Sequence, residues 1–348
     1  MDPLFLQVRV NKDTTFTINK GQHVIDEKKQ INYSTLKAAN QLYNGTLNTP
    51  ESQRLAEKVE KKYIPKAGIH HNLVGAHLFK GIGHYIFEEF LPPDIKREIE
   101  NTPRDTVFCL DLDQGSSILP WELMYNGRNF LCLEYEFGRT QKPPVKTPSG
   151  KNSASLLMIS DPTGDLPGAQ IEANYIMGQL RGSKITVQRY GSEIRKRQYL
   201  EHLKSGKFDF IHYTGHSYVS PDQSQAFHIF RDGNLTGQEI EALKGNNLPI
   251  LVFTNSCQSA QHYDFSGNTS LAESYLHAGV ESCIAALWPV SDRGSAEFAS
   301  SFYRYILFGS SVGRAILQAR RESYKKWGSQ DFIWGSYIYY GSPLNRLL

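Results

Sequence analysis

Two residues of this 348-residue chain stand where an apolar run gives way to small polar residues, and together they could do chemistry. Residues 208–217 read Phe-Asp-Phe-Ile-His-Tyr-Thr-Gly-His-Ser and close on His216. Residues 248–259 read Leu-Pro-Ile-Leu-Val-Phe-Thr-Asn-Ser-Cys-Gln-Ser and reach Cys257. A thiolate is a strong nucleophile, and an imidazole beside it lowers the thiol pKa and carries a proton to the leaving group. Each run reads as a buried strand. If the two are neighbours in a parallel sheet, His216 and Cys257 meet at its carboxyl edge, where open α/β sheets place their ligand sites. Taken singly, a cysteine or histidine in such a run is more often a packed structural group. The pairing at two strand exits sets these apart from Cys109, Cys132 and Cys283, which lie inside apolar stretches, and from His212, four residues deeper on the same strand face.

The elements that must position the pair follow from periodicity. From residue 154 onward, apolar runs at 154–160, 184–188, 208–214, 249–254, 282–288 and 332–340 read as strands. Between them, 169–181, 196–205, 236–243, 270–277, 295–307 and 311–327 read as helices. Strands alternating with helices predict a mostly parallel sheet covered on both faces. Upstream, the alternation of residues 4–10 and 14–18 about an Asn-Lys-Asp turn predicts an amino-terminal hairpin. Residues 34–66 are weakly helical with a start at Thr49, and 73–91 have helical spacing interrupted by Gly81 and Gly83. Residues 94–100 form a short exposed helix, 106–112 a strand, and 128–137 an apolar, β-prone run. Residues 140–153, rich in Pro, Lys, Ser and Gly, are a solvated loop and a candidate cleavage site. These breaks divide the chain into 1–105, a hairpin and helical region, 106–150, a strand-rich subdomain, and 151–348, the core that carries His216 and Cys257. The basic residues from 314 to 326 read as a solvated helix face.

Composition narrows the function. Hydrophobic residues at 40% and charged residues at 21% are ordinary for a globular protein, and a net charge of +3 is too small and scattered to favour nucleic acid or an acidic membrane surface. No stretch has the apolar length of a membrane span, and Met1-Asp-Pro-Leu-Phe lacks the features of a secretory signal. No Cys or His spacing suits zinc, so neither metal nor other cofactor is expected. Unpaired thiols point to the cytoplasm.

The two runs resemble the histidine and cysteine motifs of the CHAT family, caspase-like peptidases related to separase. Three further segments agree in order: Leu-Pro-Trp-Glu-Leu-Met-Tyr at 119–125, Asp-Leu-Pro-Gly-Ala at 165–169 with Glu172, and Ala-Ala-Leu-Trp-Pro-Val-Ser-Asp at 285–292. The resemblance covers about residues 75–345. It implies a caspase-like α/β fold with helices on both faces of the sheet, and a cysteine endopeptidase using His216 and Cys257 as a dyad without a third acid. The backbone N–H of Cys257, with one from the Gly215 to Ser217 turn, would hold the oxyanion. Many relatives have Gly where this chain has Ser217, which asks for an unstrained backbone there. Asp292 falls where separase-like enzymes hold a basic P1 side chain, and Asn255 stands where relatives with that preference often carry Asp. The implied role is cleavage of a protein partner in bacterial defence or regulated cell death, under an activating sensor or regulatory protein. The alternatives are a non-catalytic caspase-like interaction scaffold and a hydrolase of small amides.

Overall fold

A computed structural model describes residues 2–43, 45, 47, 49–64, 76–140, 150–220, 225–256, 259–260, 270–328 and 331–348. Cys257 and most of the 140–153 loop lie outside the described residues. The alternation near the amino terminus becomes β1 (Leu4–Val10) and β2 (Thr14–Lys20), which bury Leu4, Leu6, Val8, Phe16 and Ile18. A third strand, β3 (His23–Lys29), turns the hairpin into a meander. Its side chains are mostly polar and solvent-facing, as suits a sheet edge that must not recruit another chain. Helices α1 (Tyr33–Tyr43) and α2 (Pro50–Tyr63) follow, and Thr49 caps α2 by accepting the Ser52 N–H at 3.2 Å. Then come α3 (Ala76–Tyr85), a π-helical turn (Ile86–Phe90) and α4 (Pro93–Glu100). The expectation of an exposed helix at 94–100 is corrected, because Ile95 and Ile99 are fully buried.

After β4 (Val107–Leu112) and the short α5 (Gln114–Ser117), the run at 128–137 is not one strand. It folds as a bridge between Tyr125 and Phe130 and a 3-10 turn (Leu131–Leu133) before β5 (Glu136–Arg139). Its residues are apolar because they fill a core, so they lack the period of a half-buried strand.

The regular part runs β6 (Ala154–Ser160), α6 (Pro167–Leu180), β7 (Ile185–Tyr190), α7 (Lys196–Leu203) and β8 (Phe210–Thr214). Three short antiparallel strands, β9 (Ser217–Val219), β10 (Ala226–Phe230) and β11 (Gly233–Thr236), form a small second sheet. There follow α8 (Gly237–Glu241), β12 (Leu251–Asn255), α9 (Leu271–Ala278), β13 (Ser282–Ala286), α10 (Asp292–Leu307) and α11 (Val312–Trp327). The final run at 332–340 splits into α12 (Ile333–Ser336) and β14 (Tyr337–Tyr340).

Among the described residues one sheet of 11 strands results, in the order β3-β2-β1-β4-β5-β14-β13-β12-β8-β6-β7. It is parallel from β13 to β7 and from β1 through β4 and β5 to β14. The meander and the β13–β14 pair are antiparallel. On one face α6, α10 and α11 pack against Phe210, Phe253 and Ile284; on the other, α7, α8 and α9 pack against Ile211, Tyr213 and Val252. Alternate residues of β8 and β12 therefore feed opposite cores, which explains why these strands read as predominantly apolar runs.

The two parts of the sheet meet at β14, where Gly341 N–H donates to the Arg139 carbonyl at 2.8 Å. Arg139 is buried and forks onto Glu122, with Nε to Oε1 and Nη2 to Oε2 both at 2.9 Å, and also donates to the Ser117 and Leu119 carbonyls. The basic stretch on α11 is only partly a solvated face: Lys325 and Lys326 are exposed, but the arginines are engaged. Arg314 pairs with Glu136 at 2.8 Å, Arg321 with Asp105 at 2.6 Å, and buried Arg320 donates to the Tyr337 carbonyl at 2.6 Å. Among the described residues no helix is long and apolar enough to cross a membrane. Truncating Glu122 to Ala strands the Arg139 guanidinium in the interior. It should cost about 3–5 kcal/mol, read as a lowered urea midpoint; an unchanged midpoint would show that the ion pair contributes nothing at this joint.

Candidate active site

Strands β6, β8 and β12 end level. Thr214 is in register with Ser160 on one side and with Asn255 on the other. His216 stands two residues past Thr214, and buried Ser256 directly follows Asn255. Cys257 is the next residue in the chain and lies outside the described residues. The structure thus brings His216 and the exit of β12 to one edge.

His216 is about two-fifths exposed, and its Nε2 lies 3.2 Å from Asp165 Oδ1. Sequence reasoning assigned no acid to this histidine. The partnership arises from a tight turn in which Asp161, at φ 60°, accepts the N–H groups of Gly164 at 2.8 Å and Asp165 at 3.0 Å through Oδ1. Asp tolerates this left-handed conformation because its short side chain bonds the backbone just ahead. Asp161 N–H also donates to the Thr214 carbonyl at 2.9 Å, so the turn is tied to the end of β8. The Thr163 hydroxyl first, and His216 second among the favourable contacts, hold the Asp165 carboxyl below its usual range. Among the described residues, Nδ1 of His216 makes no hydrogen bond.

The backbone around His216 is held from below. The Tyr213 hydroxyl lies within hydrogen-bond reach of the His216 and Ile229 carbonyls, at 3.0 and 3.1 Å, and Ile229 N–H donates to the His216 carbonyl at 3.0 Å. Gly215 is required by this packing: a Cβ there would meet the Tyr213 hydroxyl at 2.6 Å and Pro162 Cδ at 3.0 Å. Ser217 opens β9 opposite His228 and has no positive φ, so a side chain fits there without strain. His228 itself is fully buried, its ring centroid 4.0 Å from that of Tyr213, with no hydrogen-bond partner among the described residues. Burial pushes its pKa down to about 3.

A buried polar cluster lies beneath the level strand ends. Glu172 of α6 accepts from His212 Nε2 at 2.6 Å and the Thr214 hydroxyl at 2.8 Å on Oε1. On Oε2 it accepts from Asn255 Nδ2 at 2.6 Å and the Ser295 hydroxyl at 3.2 Å. His212 Nδ1 faces the Tyr303 hydroxyl at 3.2 Å, and the Tyr337 hydroxyl donates to Asn255 Oδ1 at 2.7 Å. His212 is thus the packed, hydrogen-bonded histidine its depth suggested. Asn255, 4% exposed, has its amide engaged at both ends. Asp292 is exposed at the first turn of α10, which Ser291 caps by accepting the Gly294 N–H. Its carboxylate rests on Gly168 in the first turn of α6, so closely that a Cβ at 168 would overlap it. Among the described residues that carboxylate makes no hydrogen bond or ion pair, and no group of three or more His, Cys, Asp or Glu could hold a metal. Cys109, Cys132 and Cys283 are buried free thiols whose pKa burial pushes up, that of Cys132 to about 11.

The family model of the CHAT domain matches residues 80–342. The chain belongs to the CHAT-domain family. Two solved structures of the Saccharomyces cerevisiae separase–securin complex are similar to it. One has a TM-score of 0.58 at 12% identity over 98% of this chain, and the other 0.53 at 11% identity over 97%. At such identity the likeness concerns the fold, and this CHAT chain spans about 30% of the length of either separase chain. No curated protein matches it.

The state of His228 has a consequence for acid stability. The unfolded chain takes up a proton near pH 6.5, whereas the buried ring does so only near 3. Stability is therefore complete above about pH 6.5 and falls toward pH 3 by up to about 1.4 kcal/mol per pH unit from this group. His228→Phe should flatten that acid limb in thermal melts taken across pH; parallel limbs in the two proteins would exclude His228 as its source.

Proposed function

We propose that this CHAT domain is a cysteine endopeptidase that cleaves a protein partner through His216 and Cys257. The observation that supports it most is the level ending of β8 and β12, with Thr214 opposite Asn255 and each two residues short of a dyad member. In this reading His216 Nδ1 takes the thiol proton, and the Cys257 thiolate attacks the scissile carbonyl. The imidazolium then protonates the leaving amine, and water hydrolyses the thioester. The backbone N–H of Cys257, with one from Gly215 or Ser217, holds the oxyanion. Asp165 orients the imidazole. Asp292, with no partner among the described residues, receives an Arg or Lys side chain at P1, and Asn255 forms the inner wall of that subsite. No cofactor enters the reaction.

We further propose a cytoplasmic role in bacterial defence or regulated cell death. Residues 151–348 act as the catalytic core, and a regulatory partner or sensor controls it. The similar separase structures are of a complex with securin, which fits a peptidase domain held by another protein.

A peptide library digested by wild type, Cys257→Ala and His216→Ala and read by mass spectrometry tests the reading. Both variants should lose all cleavage while keeping the wild-type melting curve. Cleavage that survives in either would overturn the dyad. Selective labelling of Cys257 by no thiol-directed peptide inhibitor, with candidate partners present, would favour an interaction scaffold. Asp292→Asn should lower kcat/KM for basic P1 residues by about 10- to 100-fold, the loss of one charge-assisted contact, and leave neutral P1 residues unaffected. Asp165→Ala should cost no more than about fivefold, the scale of an exposed ion pair.

A further inference from the structure

We infer that Glu172 is a positioning residue for the dyad, an assignment that rests on the peptidase reading above. Its carboxylate gathers donors from three elements: His212 and Thr214 on β8, Asn255 on β12 and Ser295 on α10. Two of these donors are special. Thr214 and Asn255 are register partners, and each precedes a dyad member by two residues. Glu172 takes one on each oxygen, Thr214 on Oε1 at 2.8 Å and Asn255 on Oε2 at 2.6 Å. One rigid planar group therefore ties together the side chains that end β8 and β12, whose backbones are already in register.

Glu172 also meets buried His212, at 2.6 Å. It is 1% exposed and has no Lys or Arg partner among the described residues. Burying a carboxyl group is costly, and apolar groups of similar volume often stabilise a core as well or better. What apolar packing cannot supply is a hydrogen-bonded tie between the polar side chains at two strand ends. The same segment also serves His216 from outside, since Asp165 lies just before α6 and Glu172 lies in its second turn. The turn leading into α6 thus carries the partner of the imidazole, and the helix itself the tie beneath it. The separation of His216 from Cys257 governs how far the imidazole can lower the thiol pKa, so loosening the tie should be visible in the thiol itself.

The test uses the full chain as wild type, Glu172→Gln, Thr214→Val and His216→Ala. Circular dichroism establishes folding, and iodoacetamide alkylation of Cys257, followed by mass spectrometry across pH, reports the thiolate. All rates are taken well below each unfolding midpoint. Wild type should alkylate as an activated thiol. Glu172→Gln should shift the alkylation midpoint up toward the ordinary thiol value of about 8.5 and lower kcat on a cleaved peptide by about 100-fold, with KM unchanged. Thr214→Val, which keeps volume and removes one donor, should shift both in the same direction by less, and it decides the matter if Glu172→Gln does not fold. A folded variant with a lower melting temperature but the wild-type alkylation profile and kcat would overturn the assignment and leave Glu172 a stabilising group, with the dyad intact. A wild-type profile identical to that of His216→Ala would instead overturn the dyad, and the positioning role with it.

Discussion

The candidate site depends on the register between two parallel strands. Parallel neighbours cannot be joined by a tight turn, so β8 and β12 are connected through the small β9–β11 sheet and α8. Nothing local in the chain brings their ends together. A slip of one residue would turn every side chain of a strand to the other face and exchange the two cores. The hydrophobic split between Phe210 and Phe253 on one side and Ile211 and Val252 on the other opposes such a slip along the whole strand. Polar groups take over at the edge, where the apolar residues stop: Thr214 and Asn255 are the last strand residues, and both bond to one carboxylate.

Much of this was legible because the inner strands are buried on both faces. Residues 154–160 and 249–254 are predominantly apolar runs, and they fold as β6 and β12 with nearly those bounds. The place of His216 just past a strand end was legible for the same reason, since the run it follows ends abruptly. The reading failed where burial and strand period part company. Residues 128–137 are apolar yet fill a core through turns, and β3 is a strand whose polar residues face solvent. Arg314 and Arg321 of α11 looked solvated because their partners, Glu136 and Asp105, are distant in sequence. Asp165 escaped notice as a partner of His216 because only the left-handed turn at Asp161 brings it there.

Polar groups in the core differ in how they are satisfied, and the difference follows position. Around Glu172 each donor has an acceptor, and the cluster joins helix, strand and strand. His228, opposite Ser217 in the small sheet, has no such partner among the described residues and stays neutral by burial. Its ring serves as an aromatic surface for Tyr213, whose hydroxyl reaches the carbonyls above. The floor of the site is therefore part hydrogen-bonded lattice and part stacked rings, and each holds a different stretch of backbone.

The joint at β14 has an implication for how the molecule behaves as a body. A sheet ending at β14 would offer a row of unsatisfied amides and carbonyls to any passing strand. Here β5 occupies that margin, supplied by the same polypeptide. The pairing is intramolecular, so dilution does not weaken it, and its effective concentration is set by chain connectivity rather than by abundance in solution. The amino-terminal two-fifths of the chain thus completes the sheet once, at fixed stoichiometry, and leaves the charged β3 as the outward margin on that side.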